Sequence, residues 1–284
     1  MKWHWQVFDP ASVPVSGAFQ QSAAYAMAAQ ATGAQMDVAN LVEAGGQSLA
    51  QVQTLRRGPL QVVLRGPVWT VPLDVATRHR ALRKLARTTR ALIVLPEQSA
   101  AGLGIIPLMT PRHVALWDLS PEPADLRAAM AGKWRNALRA AERRQLKVTL
   151  APPRALHDLV EAEARQRASR HYVALPPRFT RAIPQNALRL WHWRQAGCRH
   201  ASMCFVRHGS WATYHLGHAD LIARESGAHR VMLWHAALAL RAEGVTTLDL
   251  GDVNSEDAPG LARFKLGTGA ALHRLGATSL VLPG

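Results

Sequence analysis

One lysine lies in a glycine-rich stretch near the C-terminus, in the segment GLARFKLGTGA at 260–270. The chain has only five lysines among its 284 residues, and Lys265 follows Phe264 and precedes a run of small residues. A fixed ammonium can stabilise negative charge that develops on a reacting oxygen, and glycines let backbone and substrate come close. The local pattern by itself is more typical of a surface lysine in a β-turn.

A second candidate is the turn ARESGAHR, which comes before an apolar helical pattern. The free N–H groups and the dipole at a helix N-terminus both favour an anion such as phosphate. Gly227 lets the backbone approach a ligand, Arg224 adds positive charge, and Ala228 and His229 complete the turn. The alternative, which the local pattern favours, is an ordinary helix start with Ser226 as its N-cap.

A basic face is expected on the helix at 125–145. Arg135, Arg139 and Arg143 recur every four residues, and Lys133 lies nearby. One interpretation is a solvated arginine face. The other is an anion clamp, because the arginine fork binds phosphate or carboxylate through two parallel hydrogen bonds.

Two carboxylates flank Gly251 at the end of the apolar strand pattern LDLGD. Ligands of open α/β sheets gather at the carboxyl ends of strands, so Asp249 and Asp252 could take a proton from an attacking amine or hold its ammonium form. The alternative is that Asp249 caps the next turn. Tyr214, on the preceding strand, is a further candidate to meet a leaving group.

The composition limits the class of protein. The 34 Lys+Arg exceed the 19 Asp+Glu and give a net charge of +15, which suits polyanionic partners or reflects composition alone. The two cysteines are too few for a disulfide framework. The many histidines lack the spacing of a zinc site, so no metal is expected. We expect neither a signal peptide nor a membrane span, and therefore a cytoplasmic protein.

The periodicity predicts elements that alternate between helix and strand, twice over, on either side of Pro121. The predicted helices are 17–33, 73–90, a long one over 124–148 that leads into a strand, 153–169, 182–197 and 227–244. The predicted strands are 47–57, 60–70, 91–96, 113–119, a hairpin over 200–220, 245–253 and 278–283, with loops at 102–111 and 170–177. No repeat is visible in the sequence itself.

Three stretches resemble the FemAB-like branch of the GNAT (GCN5-related N-acetyltransferase) superfamily. They are GKWRNALRAAERRQLKV, WHAALALRAEGVTTLDLGDV and GLARFKLGTGA, and RGPVW also looks like the N-terminal half of that group. The resemblance implies an α/β (α+β) fold with two tandem GNAT-like mixed sheets flanked by helices. It implies an N-terminal GNAT-like subdomain at 1–121 and a C-terminal catalytic one at 122–284.

The resemblance also implies roles for individual residues. In FemAB-like enzymes the Phe-Lys pair before a glycine turn lies at the acyl-transfer centre, and a basic residue on the helix that corresponds to 125–145 holds the acceptor. Carried over, the catalytic set is Lys265, Phe264, Asp249 and Tyr214. The donor-binding set is Arg224, Gly227, Ala228 and His229, and the acceptor-binding set is Lys133, Trp134, Arg135, Arg139 and Asp252.

The function so implied is an N-acyltransferase that moves an acyl group from acyl-CoA to a primary amine on a small molecule or a peptidoglycan precursor. The phosphate turn departs from the family pattern because His229 replaces its last small residue. That departure leaves room for an aminoacyl-tRNA donor, as in peptidoglycan-bridge ligases, although no inserted helical arm for tRNA is evident. A third alternative is a non-catalytic, basic RNA-binding protein on a degenerate transferase fold. The acceptor, the acyl group and the oligomeric state stay open.

Overall fold

The computed structural model describes residues 3–8, 17–89, 91–170 and 174–284. Contacts divide the chain into two compact units. The first combines Met1–His113 with Arg274–Gly284, and the second is Val114–His273. The boundary at residue 121 that the sequence suggested differs from this division, because 114–121 belongs to the second unit and the end of the chain to the first.

The first unit is built on one mixed sheet. Its strands are β1 (Trp3–Phe8), β2 (Gln35–Glu43), β3 (Ser48–Arg57), β4 (Leu60–Leu64), β5 (Val68–Trp69), β6 (Ala91–Leu95), β7 (Ile105–Met109) and β15 (Thr278–Val281). Their order is β1-β2-β3-β4-β6-β15-β7, and β5 pairs with β3. Strands β4 and β6 are parallel, whereas β15 is antiparallel to both β6 and β7. The last strand of the chain therefore completes the first sheet.

Two helices accompany this sheet, α1 (Ala23–Ala31) and α2 (Val75–Ala86). Helix α2 begins where the Asp74 side chain accepts a hydrogen bond from the backbone N–H of Thr77 at 2.6 Å. Its apolar side buries Leu82 and Leu85 against a cluster that includes Val281. The helical spacing read from the sequence places these leucines on the buried side.

The second unit contains the second sheet, which is also mixed. Its strands are β8 (His113–Asp118), β9 (Val148–Ala151), β10 (Leu188–Gln195), β11 (Cys198–His208), β12 (Trp211–Ala219), β13 (Thr247–Asp252) and β14 (Ala271–Arg274), in the order β14-β8-β13-β12-β11-β10-β9. Its helices are α3 (Pro123–Ala129), α4 (Gly132–Glu142), α5 (Leu156–Arg170), α6 (Pro177–Ala182), α7 (Leu221–Ser226), α8 (Ala228–Ala242) and α9 (Pro259–Leu266). The α/β class with two mixed sheets confirms the fold that the sequence predicted.

Helix α8 supplies much of the core of the second unit. Val231 and Trp234 are both buried. They belong to a cluster that also contains Trp134 of α4 and Phe205 of β11. The helix ends at Ala242 with Glu243 as its C-cap, and the next residue, Gly244, has a φ of +85°, a left-handed conformation that glycine adopts without strain. Both the start and the end of α8 thus follow from local sequence.

One predicted helix is wrong, because half of 182–197 forms strand β10. Leu188, Leu190 and Trp193 are buried as parts of that strand. Strand β10 is bonded on both sides, to β9 and to β11. Long-range pairing with two neighbours decided this segment against its local preference.

The long helix predicted over 124–148 is two helices, α3 and α4, separated at Met130 and Ala131. Both residues are extended, and the Ala131 N–H donates to the carbonyl of Gly267 at 3.0 Å. A distant carbonyl therefore takes an N–H that a continuous helix would have used internally.

Three other predictions need correction. The loop at 102–111 contains β7, because β15 pairs with it. The glycine-rich turn at 260–270 is mostly helix α9, with Pro259 in its first turn and Gly267 as its C-cap. Of the loop predicted at 170–177, residues 171–173 lie outside the described residues, and Pro177 begins α6.

Candidate active site

Strands β12 and β13 are bonded over only part of their lengths. Their parallel pairing joins Trp211–Thr213 to Thr247–Asp249. Within the described chain this pairing goes no further, although β12 continues to Ala219 and β13 to Asp252. The pairing of the two strands therefore ends at Thr213 and Asp249, before either strand reaches its own C-terminal end.

Lys265 lies where β13 ends. Its side chain extends from α9, is only 7% exposed, and donates a hydrogen bond from Nζ to the backbone carbonyl of Asp252 at 2.7 Å. A Cβ added at Gly251 would lie 3.6 Å from the same Nζ, so a residue without a side chain adjoins the ammonium. An ammonium has three N–H donors. No second acceptor among the described residues takes a hydrogen bond from Lys265.

The charge on Lys265 responds to burial and to two carboxylates. Burial lowers the pKa of Lys265 from its usual value of 10.5, and the negative charges of Asp252 and then Asp249 oppose that change. Desolvation favours the neutral amine, whereas nearby anions favour the ammonium. The balance makes this lysine more easily deprotonated than a solvated one.

The two aspartates at the end of β13 differ in environment. Asp249 is buried, and its Oδ1 accepts a hydrogen bond from the Gly251 N–H at 2.7 Å. This bond stabilises the turn, as the structural alternative considered for Asp249 supposed. Asp252 is exposed, and it is its backbone carbonyl that receives the bond from Lys265. The sequence carried no signal for that carbonyl contact.

Phe264 lies between two other rings. Its centroid is 6.1 Å from that of Trp134 and 6.4 Å from that of His229, the latter pair edge-on. Trp134 is buried in the core, and its indole Nε1 has no hydrogen-bond partner among the described residues. Through these contacts α9 connects α4 with the start of α8.

The predicted phosphate turn joins two helices. Gly227, with φ of +77°, ends α7 and begins α8. The N-cap of α8 is Gly227 and not Ser226, which ends α7, although the Ala228 N–H donates to the Ser226 hydroxyl at 3.3 Å. Arg224 is exposed on α7. A Cβ at Gly227 would lie 2.9 Å from that of Ala141, so α4 passes close to this turn.

His229 lies at the second position of α8. Its ring faces Phe264, and its Nε2 is buried without a hydrogen-bond partner among the described residues. Burial, with smaller contributions from His218, Arg224 and Arg230, lowers its pKa to about 4. The imidazole is therefore neutral at physiological pH and adds no charge to the turn.

The basic residues of α4 have different surroundings. Arg135 donates from Nη1 to the backbone carbonyl of Ala128 at 2.8 Å, whereas Lys133 and Arg139 are exposed. Farther along, Arg144 donates from Nη1 to the carbonyl of Glu225 at 2.8 Å and ties the end of α4 to α7. Sequence reasoning missed this last contact, because Arg144 and its partner are far apart in the chain.

Tyr214 packs elsewhere on β12. Its ring lies 5.5 Å from that of Phe205, and a Cβ at Gly217 would lie 1.8 Å from its hydroxyl oxygen. The hydroxyl thus occupies the space over Gly217. Direct contacts connect Lys265 and its neighbour Phe264 with Trp134, Asp252 and His229.

The described ranges were also compared with the requirements of a metal site and of a membrane-spanning helix. Within them, no three His, Cys, Asp or Glu side chains are grouped as a metal site would require. None of the helices in those ranges combines the length and the hydropathy needed to cross a bilayer.

The family of the chain follows from its sequence. The protein-family model described as an acetyltransferase (GNAT) domain matches residues 123–269, which run from α3 to the turn after α9. This match covers 147 of the 284 residues (269 − 123 + 1), and it contains both the phosphate turn and Lys265. The chain belongs to the GNAT acetyltransferase family and is an acyltransferase. No curated protein matches it.

Solved structures share the fold across nearly the whole chain. A crystal structure of FemX has a TM-score of 0.74 at 14% identity and covers 96% of each chain. The C-terminal domain of a putative lysylphosphatidylglycerol synthetase from Agrobacterium fabrum has a TM-score of 0.55 at 14% identity, over 93% of this chain and 89% of that one. A tandem GNAT protein from the clavulanic acid biosynthesis pathway has a TM-score of 0.52 at 13% identity, over 100% and 99%. The FemAB-like resemblance and the tandem GNAT architecture are thereby confirmed as a likeness of fold.

Proposed function

We propose that this acyltransferase moves the acyl group of an acyl-CoA onto a primary amine of a small or cell-envelope-related acceptor. The observation that carries the proposal is the Lys265 ammonium, which is buried beside the end of β13 and has N–H donors that no described residue takes. A cation in this position is suited to a carbonyl oxygen that becomes negative during acyl transfer.

The reaction has one tetrahedral intermediate. The neutral amine attacks the thioester carbonyl carbon, a C–N bond forms, and the carbonyl oxygen becomes an oxyanion that accepts a hydrogen bond from Lys265. When the carbonyl re-forms, the C–S bond breaks and CoA leaves as a thiol after taking a proton. Asp252, exposed at the same strand end, accepts the proton that the amine nitrogen loses.

The donor is held at the start of α8. Arg224 supplies charge for the phosphates of the donor, and Gly227, Ala228 and His229 form the start of the helix whose dipole favours an anion. We place the acceptor along α4, where Lys133 and Arg139 are exposed cations. Arg135 lies between them and Trp134 supports this helix from the core. Phe264 limits the motion of Lys265, and Tyr214 remains a candidate to protonate the thiolate.

The experiment compares Lys265→Met with the wild type in an assay of CoA thiol release across a panel of primary amines. Loss of one oxyanion donor costs about 2.7–4 kcal/mol, so kcat should fall about 10²–10³-fold. Lys147→Met is the matched control, because Lys147 is an exposed lysine of the same unit. An unchanged kcat in a folded Lys265→Met protein would remove Lys265 from the mechanism.

An aminoacyl-tRNA donor is the second candidate, and the bulky His229 in the phosphate turn is the observation that favours it. The FemAB-like resemblance allows this donor as well. Filter binding of tRNA over a series of salt concentrations separates the two donors, because phosphate contacts give a steep salt dependence. Transfer from charged tRNA without CoA thiol release would replace the first proposal. Binding of tRNA without any transfer would instead support a non-catalytic RNA-binding protein.

A further inference from the structure

The outer edge of the first sheet exposes a cluster of large apolar side chains. Strand β7 is the last strand of that sheet, and the turn before it holds Leu103, which is 88% exposed. Met109 at the other end of β7 is 61% exposed. Ile106, Leu108 and the neighbouring Leu282 are exposed as well. We call these five residues the apolar edge. Contiguous exposed patches of this kind on soluble domains mark interaction sites.

The apolar edge is held in a fixed conformation by α2. His79 Nε2 lies 2.8 Å from the carbonyl oxygen of Leu103. Arg83 donates to the carbonyls of Leu282 and Pro283, at 3.3 and 2.8 Å. The Leu282 N–H in turn donates to the Gly104 carbonyl at 2.8 Å. The apolar side chains are therefore presented by bonded backbone, so little conformational entropy is lost when they bind.

The surroundings of the apolar edge are positively charged. The segments 75–89 and 98–112 contain no aspartate or glutamate. Arg83 lies against the turn, since its Nε would be 2.8 Å from a Cβ at Gly104, and Arg78 reaches the Ser99 carbonyl. Arg112, which follows β7, is exposed. A partner that combines an apolar phase with negative charge is complementary to these surroundings.

A second copy of the chain is a poor occupant of this edge. Strand addition needs a row of free N–H and C=O groups, and Pro107 in the middle of β7 has no N–H. A second copy would also bring the same cations against these. A lipid surface needs no hydrogen-bond register, and its anionic headgroups complement the arginines.

We infer that the apolar edge is a peripheral docking surface for an anionic lipid bilayer, with Leu103 and Met109 inserted at the level of the headgroups. The binding adds apolar burial to the attraction between arginines and acidic lipids. It requires neither a membrane-spanning helix nor the proposed transfer reaction.

The test is flotation of the full chain with vesicles of phosphatidylcholine alone and with 30% phosphatidylglycerol, at about 0.1 M salt. We expect binding to the acidic vesicles, at least fivefold weaker binding to the neutral ones, and loss of binding near 0.5 M salt. Leu103→Ser/Met109→Ser should bind about tenfold or more weakly. The matched control is Leu150→Ser/Leu272→Ser, which removes two exposed leucines from the edge strands of the second sheet.

Thermal melting shows that each variant is folded, and analytical ultracentrifugation gives the oligomeric state. The proposal is overturned if the acidic vesicles do not bind the chain, or if neutral vesicles bind it equally well. It is also overturned if the Leu103/Met109 variant binds as strongly as the control. A wild-type dimer that this variant converts to a monomer would instead identify the apolar edge as a contact between copies.

Discussion

At the scale of single residues, the environment of Lys265 is what distinguishes this lysine from the others. It is a buried cation with one hydrogen bond to a backbone carbonyl, next to the exposed carboxylate of Asp252 and the buried one of Asp249. An isolated buried charge is unfavourable, and polar groups that partly compensate it are common at functional sites. The burial and the neighbouring carboxylates of Lys265 support the proposed role independently of the family resemblance.

The charge on Lys265 predicts a pH dependence. An ammonium loses its proton as pH rises, and burial places that loss below the usual value of 10.5. We therefore expect kcat to fall along an alkaline limb with a midpoint below 10.5, because the neutral amine cannot stabilise an oxyanion as well. Lys265→Met should lack this limb, and Lys265→Arg should keep activity to higher pH. Steady-state rates from pH 7 to 10.5 measure this alkaline limb. An identical limb in Lys265→Met would assign the titration to another group.

At the scale of elements, the site depends on close packing around α9. Gly267, the C-cap of α9, lies against Trp134, and its carbonyl accepts the Ala131 N–H at the break between α3 and α4. The position of Phe264 and Lys265 thus depends on a glycine that leaves room for an indole ring. The sequence placed small residues here without indicating their neighbours.

Two glycine substitutions in this region should have opposite effects. A Cβ at Gly267 would lie 2.5 Å from Cδ1 of Trp134 and 2.7 Å from the Arg263 carbonyl, so Gly267→Ala should lower the free energy of unfolding by about 1–3 kcal/mol. Gly260, within α9, has no such neighbour within 4 Å, and Gly260→Ala should raise the free energy of unfolding by ~0.5–1 kcal/mol. Urea denaturation measures both. Equal effects of the two substitutions would contradict the packing argument.

At the scale of the whole molecule, the two units are not consecutive in sequence. The chain builds most of the first sheet, then the second unit, and returns at its end to place β15 between β6 and β7. The proposed catalytic residues all belong to the second unit, whereas the apolar edge belongs to the first. The segment 274–284 therefore stabilises the unit that does not carry the proposed chemistry.

The returning strand gives a stability prediction for the first unit. Val281 is buried in its core, and Val281→Ala should lower the free energy of unfolding by about 2 kcal/mol. Leu282→Ala, at the exposed neighbouring position, should change it by less than about 0.5 kcal/mol. Hydrogen exchange should quicken at the amides of β6 and β7 in the first variant. Unchanged exchange in these strands, with faster exchange in β11, would contradict this assignment.

Much of the fold was determined by the sequence alone, and so was the local structure of part of the candidate site. The hairpin of β11 and β12, helix α8 with Gly244 just beyond its C-cap, and the turn at Arg224 and Gly227 follow from patterns of neighbouring residues. These signals are local, because turns, caps and periodicity are encoded in contiguous chain. The motifs of the second unit were also sufficient to identify the family.

Tertiary structure decided the rest. Strand β10 forms because β9 and β11 pair with it on either side. Helices α3 and α4 separate where the Gly267 carbonyl accepts a hydrogen bond. Strand β15 joins a sheet whose other strands all come before the second unit in the sequence. The hydrogen bond from Lys265 to the backbone carbonyl of Asp252 was likewise decided by tertiary structure. Every residue presents the same backbone carbonyl and N–H, so the sequence cannot indicate which of them a distant group will meet.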